Sequence, residues 1–192
     1  MVLPTPAIPT FTDGLIVHAN DLNALAANLT NLYNYNQASF TSQRPCVIAK
    51  QTTGQAIANI TDTLITFQSA AVNTDNMWTA SVPSQITIQH AGIYFLFAQV
   101  RWPTIGSPTF ATACALNLMV NGTNAGVNTI ASQLLPFVSA GAGSGEQCGV
   151  IVNLAVGATV FVDAWQSSGG SVTLPTNFGG TFLGAIFLTS ST

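Results

Sequence analysis

Charge is what this chain has least of. Only 5% of its 192 residues are Asp, Glu, Lys or Arg, against about 25% in ordinary globular domains. Three cations (Arg44, Lys50 and Arg101) face six acids, a formal net charge of −3. Without a basic surface there is no electrostatic footprint for nucleic acid or an anionic membrane. Long apolar runs are missing too. The densest, Ile93–Val100, is interrupted by Gln99, and nothing approaches the roughly 20 residues that span a bilayer. The opening Met1-Val-Leu-Pro-Thr-Pro6 holds no cation, the first being Arg44, so no secretory leader is read there.

Reactive side chains are scarce. Cys46, Cys114 and Cys148 show no CxxC or histidine-linked spacing, which argues against a disulfide framework and for small buried thiols. The two histidines, His18 and His90, form no HxxxH or HxE pattern. None of the acids Asp13, Asp21, Asp62, Asp75, Glu146 and Asp163 pairs in a motif. Asp62 and Asp75 fall in predicted loops, but a hard cation takes six or more oxygens. Ala140-Gly-Ala-Gly-Ser-Gly145 follows no strand-to-helix pattern and reads as a turn. The sequence therefore predicts no enzyme, no cofactor and no metal.

What is present is apolar and neutral-polar. At 48% apolar with low charge, the composition is the reverse of a disordered one. The surface must be built from Thr, Ser, Asn and Gly, which give little repulsion between copies. Such a surface suits a protein packed against others.

Three parts follow along the chain. Residues 1–20 carry Pro4, Pro6 and Pro9 and read as an extended arm, because each proline sets its own φ and extends the residue before it. Residues 21–43 hold a predicted helix, Asp21–Asn36, with Asn20 as N-cap, and a linker. Leu22, Leu25, Leu29 and Leu32 recur at spacings of three, four and three, a short a/d seam with Asn36 as a polar position. At about 24 Å it is too short to hold a coiled coil alone. Residues 44–192 read as a mainly β head, with Val-, Ile-, Phe- and Thr-rich runs separated by Gly, Asn and Pro turns. Strands are predicted at Cys46–Gln51, Thr63–Ser69, Gln85–His90, Ile93–Trp102, Ala113–Val120, Thr129–Val138, Cys148–Leu154, Thr159–Gln166 and Phe182–Leu188. In Ile93–Trp102 both parities are largely apolar, although alternation leaves one face of a half-buried strand wet. Phe182–Leu188 repeats this double-sided character, which points to a second subunit over that face.

The run Ile86-Thr-Ile-Gln-His-Ala-Gly-Ile-Tyr-Phe-Leu-Phe-Ala-Gln-Val100 resembles the strand, Gly-x-Tyr, aromatic strand, Gln-Val signature of the tumour necrosis factor and complement globular-head families. Leu118-Met-Val-Asn-Gly122, Val152-Asn-Leu-Ala-Val-Gly-Ala-Thr-Val-Phe-Val162 and Phe182-Leu-Gly-Ala-Ile-Phe-Leu188 follow in the order those families use. The resemblance covers Pro45 to Thr189 and implies a ten-stranded jelly roll that trimerises, with Phe95, Phe97, Gln99 and Phe182 along the three-fold axis. The low-charge style is closer to bacterial and viral members, such as collagen-like spore-surface glycoproteins, though no collagenous stalk is present.

Phe11-Thr-Asp-Gly14 followed by Asn20-Asp-Leu-Asn-Ala-Leu25 resembles the opening of short tail-phage virion proteins. Together the two resemblances imply a trimeric capsid decoration protein or head fibre of a tailed bacteriophage on the virion surface. Its arm would dock on a capsid or tail protein through Leu3, Ile8 and Phe11, and its partners would otherwise be copies of itself. The alternative is a tail-fibre tip recognising a host surface glycan or protein through loops such as Asn73–Thr79, Ile105–Thr109 and Ser167–Ser171, with Trp78 as a sugar-stacking candidate. A more remote alternative is a bacterial spore or cell-surface adhesin.

Overall fold

A computed structural model describes residues 23–31, 44–104, 113–136, 145–176 and 180–190. The chain forms two compact units, Met1–Gln43 and Arg44–Thr192. In the first, residues 23–31 form a helix, α1, within the predicted Asp21–Asn36. Leu25 is half-buried and Leu29 is exposed. Leu22 and Leu32, with Leu3, Ile8 and Phe11 of the expected docking arm, lie outside the described residues.

The second unit is a β-sandwich. Its strands are β1 (Cys46–Lys50), β2 (Ala56–Ile57), β3 (Thr63–Leu64), β4 (Ser69–Asn73), β5 (Gln85–Thr87), β6 (Gly92–Arg101), β7 (Ala113–Val120), β8 (Thr129–Pro136), β9 (Gly145–Leu154), β10 (Thr159–Gln166), β11 (Val172–Thr173) and β12 (Phe182–Thr189). A single helical turn, α2 (Ala125–Asn128), is capped by the Asn124 side chain, which accepts from the Gly126 N–H. One sheet has the order β4-β1-β12-β6-β9. The other runs β3-β10-β7-β8, with β5 also on β10, and β2 pairs with β11 apart.

Period-two alternation builds the core between the sheets. Tyr94, Leu96, Ala98, Val100 and Trp102 of the β6 run turn inward and are all buried. They meet Leu116 and Leu118 of β7 and Val160, Val162 and Ala164 of β10 in one cluster. Each large side chain buried this way contributes about 1.5–3 kcal/mol. The Tyr94 hydroxyl reaches the His90 carbonyl at 2.8 Å, so its polar tip is satisfied inside the sandwich.

Two details differ from the sequence reading. Thr63–Ser69 is not one strand: β3 belongs to one sheet and β4 to the other, and the chain crosses between them. Ile65 and Phe67 are both buried in the crossing, with their N–H groups on the Val162 and Pro83 carbonyls. Among the described residues there are twelve strands where nine runs were predicted, since Thr63–Ser69 divides in two and β2 and β11, at two residues each, are too short to show a period.

Candidate assembly face

The outward parity of the first sheet lies in register across four strands, with two apolar rows followed by a mixed one. One row is Ile151 of β9, Phe95 of β6, Ile186 of β12 and Cys46 of β1. The next is Gly149, Phe97, Gly184 and Ile48; the third is Gln147, Gln99, Phe182 and Lys50. All four axial residues implied by the resemblance, Phe95, Phe97, Gln99 and Phe182, thus share this parity. Phe95 is 37% exposed and Ile151 65%.

The two glycines shape this surface. Phe97 lies over Gly184, where a Cβ would stand 2.2 Å from the ring, and Phe95 lies against Gly149, where a Cβ would be 3.1 Å from the ring edge. The rings of Phe95 and Phe97 stack at 5.5 Å between centroids, and Phe97 meets Phe182 edge-on at 6.0 Å. Between them runs a groove of about 270 Å³, lined also by Gln147, Cys148 and Gly149.

The fourth axial residue, Gln99, is only 8% exposed. Its Nε2 donates to the Gly180 carbonyl at 2.7 Å and its Oε1 accepts from Gln147 Nε2. This amide chain closes one end of the aromatic patch without a formal charge. A second exposed apolar strip lies at the β8–β9 side of the sandwich. Ile130 and Leu134 of β8 are exposed there, and the Gln133 carboxamide bridges the two sheets by accepting from the Gln147 N–H at 2.6 Å.

The reactive groups are buried or paired. Glu146 is fully buried and its Oε2 accepts from Trp102 Nε1 at 2.9 Å. Burial raises its pKa. Burial, with the Glu146 carboxylate alongside, pushes the Cys148 thiol up to about 11 and the Cys114 thiol higher still. Both thiols are therefore protonated near neutrality, which is the opposite of an activated nucleophile. All three cysteines are free. His90 Nε2 sits 3.0 Å from Asp75 at the surface, with His90 61% exposed; such pairs contribute little. Among the described residues no three His, Cys, Asp or Glu side chains group as a metal site.

Trp78 requires a correction. It is 9% exposed and belongs to the core cluster, so it offers no face to a sugar. The Asn73 carboxamide clamps its backbone, donating to the Trp78 carbonyl and accepting from its N–H, and this folds the indole inward. The Ser167–Ser171 loop is also tied down, with Gln166 Nε2 on the Gly170 carbonyl at 2.7 Å and the Gly169 N–H on Asn59 Oδ1 at 2.8 Å. Ile105–Thr109 lies outside the described residues.

The sheet order and the apolar outward face define a jelly-roll sandwich of the tumour necrosis factor and complement globular-head type. Solved structures agree. The chain is similar to murine APRIL, with a TM-score of 0.56 at 16% identity over 76% of this chain and 100% of that one. It is similar to the globular domain of zebrafish complement 1qA protein, with a TM-score of 0.56 at 10% identity over 77% and 100%. It is also similar to Eiger TNF from S. frugiperda, with a TM-score of 0.57 at 13% identity over 78% and 95%. At these identities the likeness concerns the fold. No family model and no curated protein matches the sequence.

Proposed function

We propose that the protein is a non-catalytic homotrimeric building block whose outward first-sheet face is the subunit interface. The observation that carries this reading is the row of Phe95, Phe97 and Phe182 on an exposed sheet face next to a groove. Contiguous apolar surface of this kind marks an interaction site. A closed ring of three needs two different complementary surfaces on each copy. The aromatic face of the first sheet and the exposed Ile130 and Leu134 of β8 supply two such surfaces.

Within that reading, the chain serves as a capsid decoration protein or head fibre on the surface of a tailed bacteriophage, docked through Leu3, Ile8 and Phe11 with α1 aligning the three arms. Support comes from the resemblance of the N-terminal segment and from a low-charge chain suited to close packing. Three weak arms acting together bind far more tightly than one. Light scattering on the full chain tests the assembly: the expected mass is three times the 19.9 kDa chain, and a monomer overturns it. Immunogold labelling of purified virions tests the location, and particles without label overturn that part. A second reading, recognition of a host surface glycan or protein, is favoured by a neutral cleft beside Met77.

A further inference from the structure

The loop after β4 and the outer face of β5 enclose a cleft of about 140 Å³. On β5 and just beyond it, Ile86 and Ile88 turn into the core while Gln85, Thr87 and Gln89 point the other way. Asn76, Thr79 and Val82 border the cleft from the loop, with Met77 buried at its base.

We propose that this cleft binds one neutral sugar unit of a surface glycan. The inference rests on the recognition reading and not on trimer formation, because every lining residue belongs to a single protomer. Three features carry it.

The first is the chemistry of the lining. Five side chains are amides or hydroxyls and none is charged, a donor and acceptor set that matches sugar hydroxyls. Asp75 and His90, next in sequence to the lining residues Asn76 and Gln89, pair with each other at 3.0 Å, and the lining itself offers an anionic ligand no lysine or arginine. Val82, which is exposed at the cleft's rim, adds an apolar contact for a ring's C–H face.

The second is pre-organisation. Gln85 Nε2 is held on Thr87 Oγ1 at 3.1 Å, which aims its Oε1 as an acceptor. The Thr87 N–H donates to the Met77 carbonyl at 2.7 Å, tying loop to strand. Trp78 is anchored beneath, with Nε1 on the Pro83 carbonyl at 3.4 Å. A site built before the ligand arrives loses less entropy on binding.

The third is size. At about 140 Å³ the cleft lies below the roughly 300 Å³ at which drug-sized pockets begin. One ring fits, and the remainder of a glycan stays outside.

The test is an NMR titration of the full chain with galactose, glucose and N-acetylglucosamine, and with sialic acid as the anionic comparison. The expected result is a shift of the side-chain amide signals of Asn76, Gln85 and Gln89 with a neutral sugar, at an affinity of about 1–10 mM. Gln85→Ala and Asn76→Gly should each weaken binding about tenfold, which is about 1.4 kcal/mol. Asn76 has a φ of 51°, so glycine is accepted there without backbone strain. No shift with any neutral sugar, equal binding by both variants, or binding of sialic acid alone each overturns the proposal. Light scattering on the same samples separates the two ideas, since a monomer that binds sugar sinks the trimer and keeps the cleft.

Discussion

Phe97 lies flat over Gly184 of the adjacent strand, and a Cβ at Gly184 would stand 2.2 Å from the ring's Cζ. The glycine is therefore what lets the ring cover its neighbour's backbone. Gly184→Ala must lift the ring off the sheet, an overpacking cost of about 1–3 kcal/mol. A lower melting temperature and a weakened trimer are expected; an unchanged melting curve and mass would show that the face is more plastic than its geometry.

Phe97→Asp places a carboxylate on the outward face, where it is solvated in a monomer and unpaired in an apolar interface. The expected outcome is a monomer by light scattering with the circular dichroism of a β-sandwich. A trimer that persists in this variant would place the interface elsewhere.

A chain beginning at Pro45 asks which unit drives assembly. The expectation is that it remains trimeric by light scattering, because the aromatic rows all lie beyond that residue. If only the full chain is trimeric, the leucine seam of the first unit drives assembly and the role given to Phe95, Phe97 and Phe182 falls.

Cys46 stands in the outward row with Ile186 and Phe95, while Cys148 packs against the core and Cys114 is fully buried. A trimer over this face therefore shields Cys46 from a thiol-alkylating reagent. Labelling followed by mass spectrometry should find it protected in the native protein and modified faster in Phe97→Asp, with Cys114 unmodified in both. Equal Cys46 rates in the two proteins would count against a covered face.

Asp163 is almost fully buried, its Oδ1 accepting from Asn117 Nδ2 at 2.8 Å. Burial raises its pKa from 3.8 to about 6, helped by the nearby Asp62 carboxylate. The folded state thus holds the proton more tightly than the unfolded one. The stabilisation is complete below the unfolded value and is lost as pH rises through the folded value, a change of about 3 kcal/mol at most. Asp163→Asn should remove this loss, so the variant gains on the parent between pH 4 and 7 in urea melts. Parallel stability curves for the two proteins would contradict the assignment.

Local pattern made much of this molecule legible in advance. Alternation in Ile93–Trp102 sorted Tyr94, Leu96, Ala98, Val100 and Trp102 onto one side, and that side is the buried core. The apolar opposite parity marked out Phe95 and Phe97 for the same reason: side-chain direction in a strand repeats every two residues, whatever lies around it. Gln99 shares that parity, yet its burial depends on Gly180, 81 residues away, a contact no local period contains.

Other features depend on residues distant in the chain. Trp78 stands among turn-forming residues, and only the Asn73 clamp and the packing around it turn the indole inward. β2 finds its partner β11 more than a hundred residues later, and two residues carry no period. The neutral cleft takes its lining from a loop and from β5 with the residues just beyond it, and neither part is a motif. Composition and alternation determined by themselves a charge-poor β-sandwich with an apolar outward face, because burial along a strand is a local, repeating choice. Which side chains meet at a groove or a cleft was decided only by tertiary structure, because those meetings depend on sheet order and register.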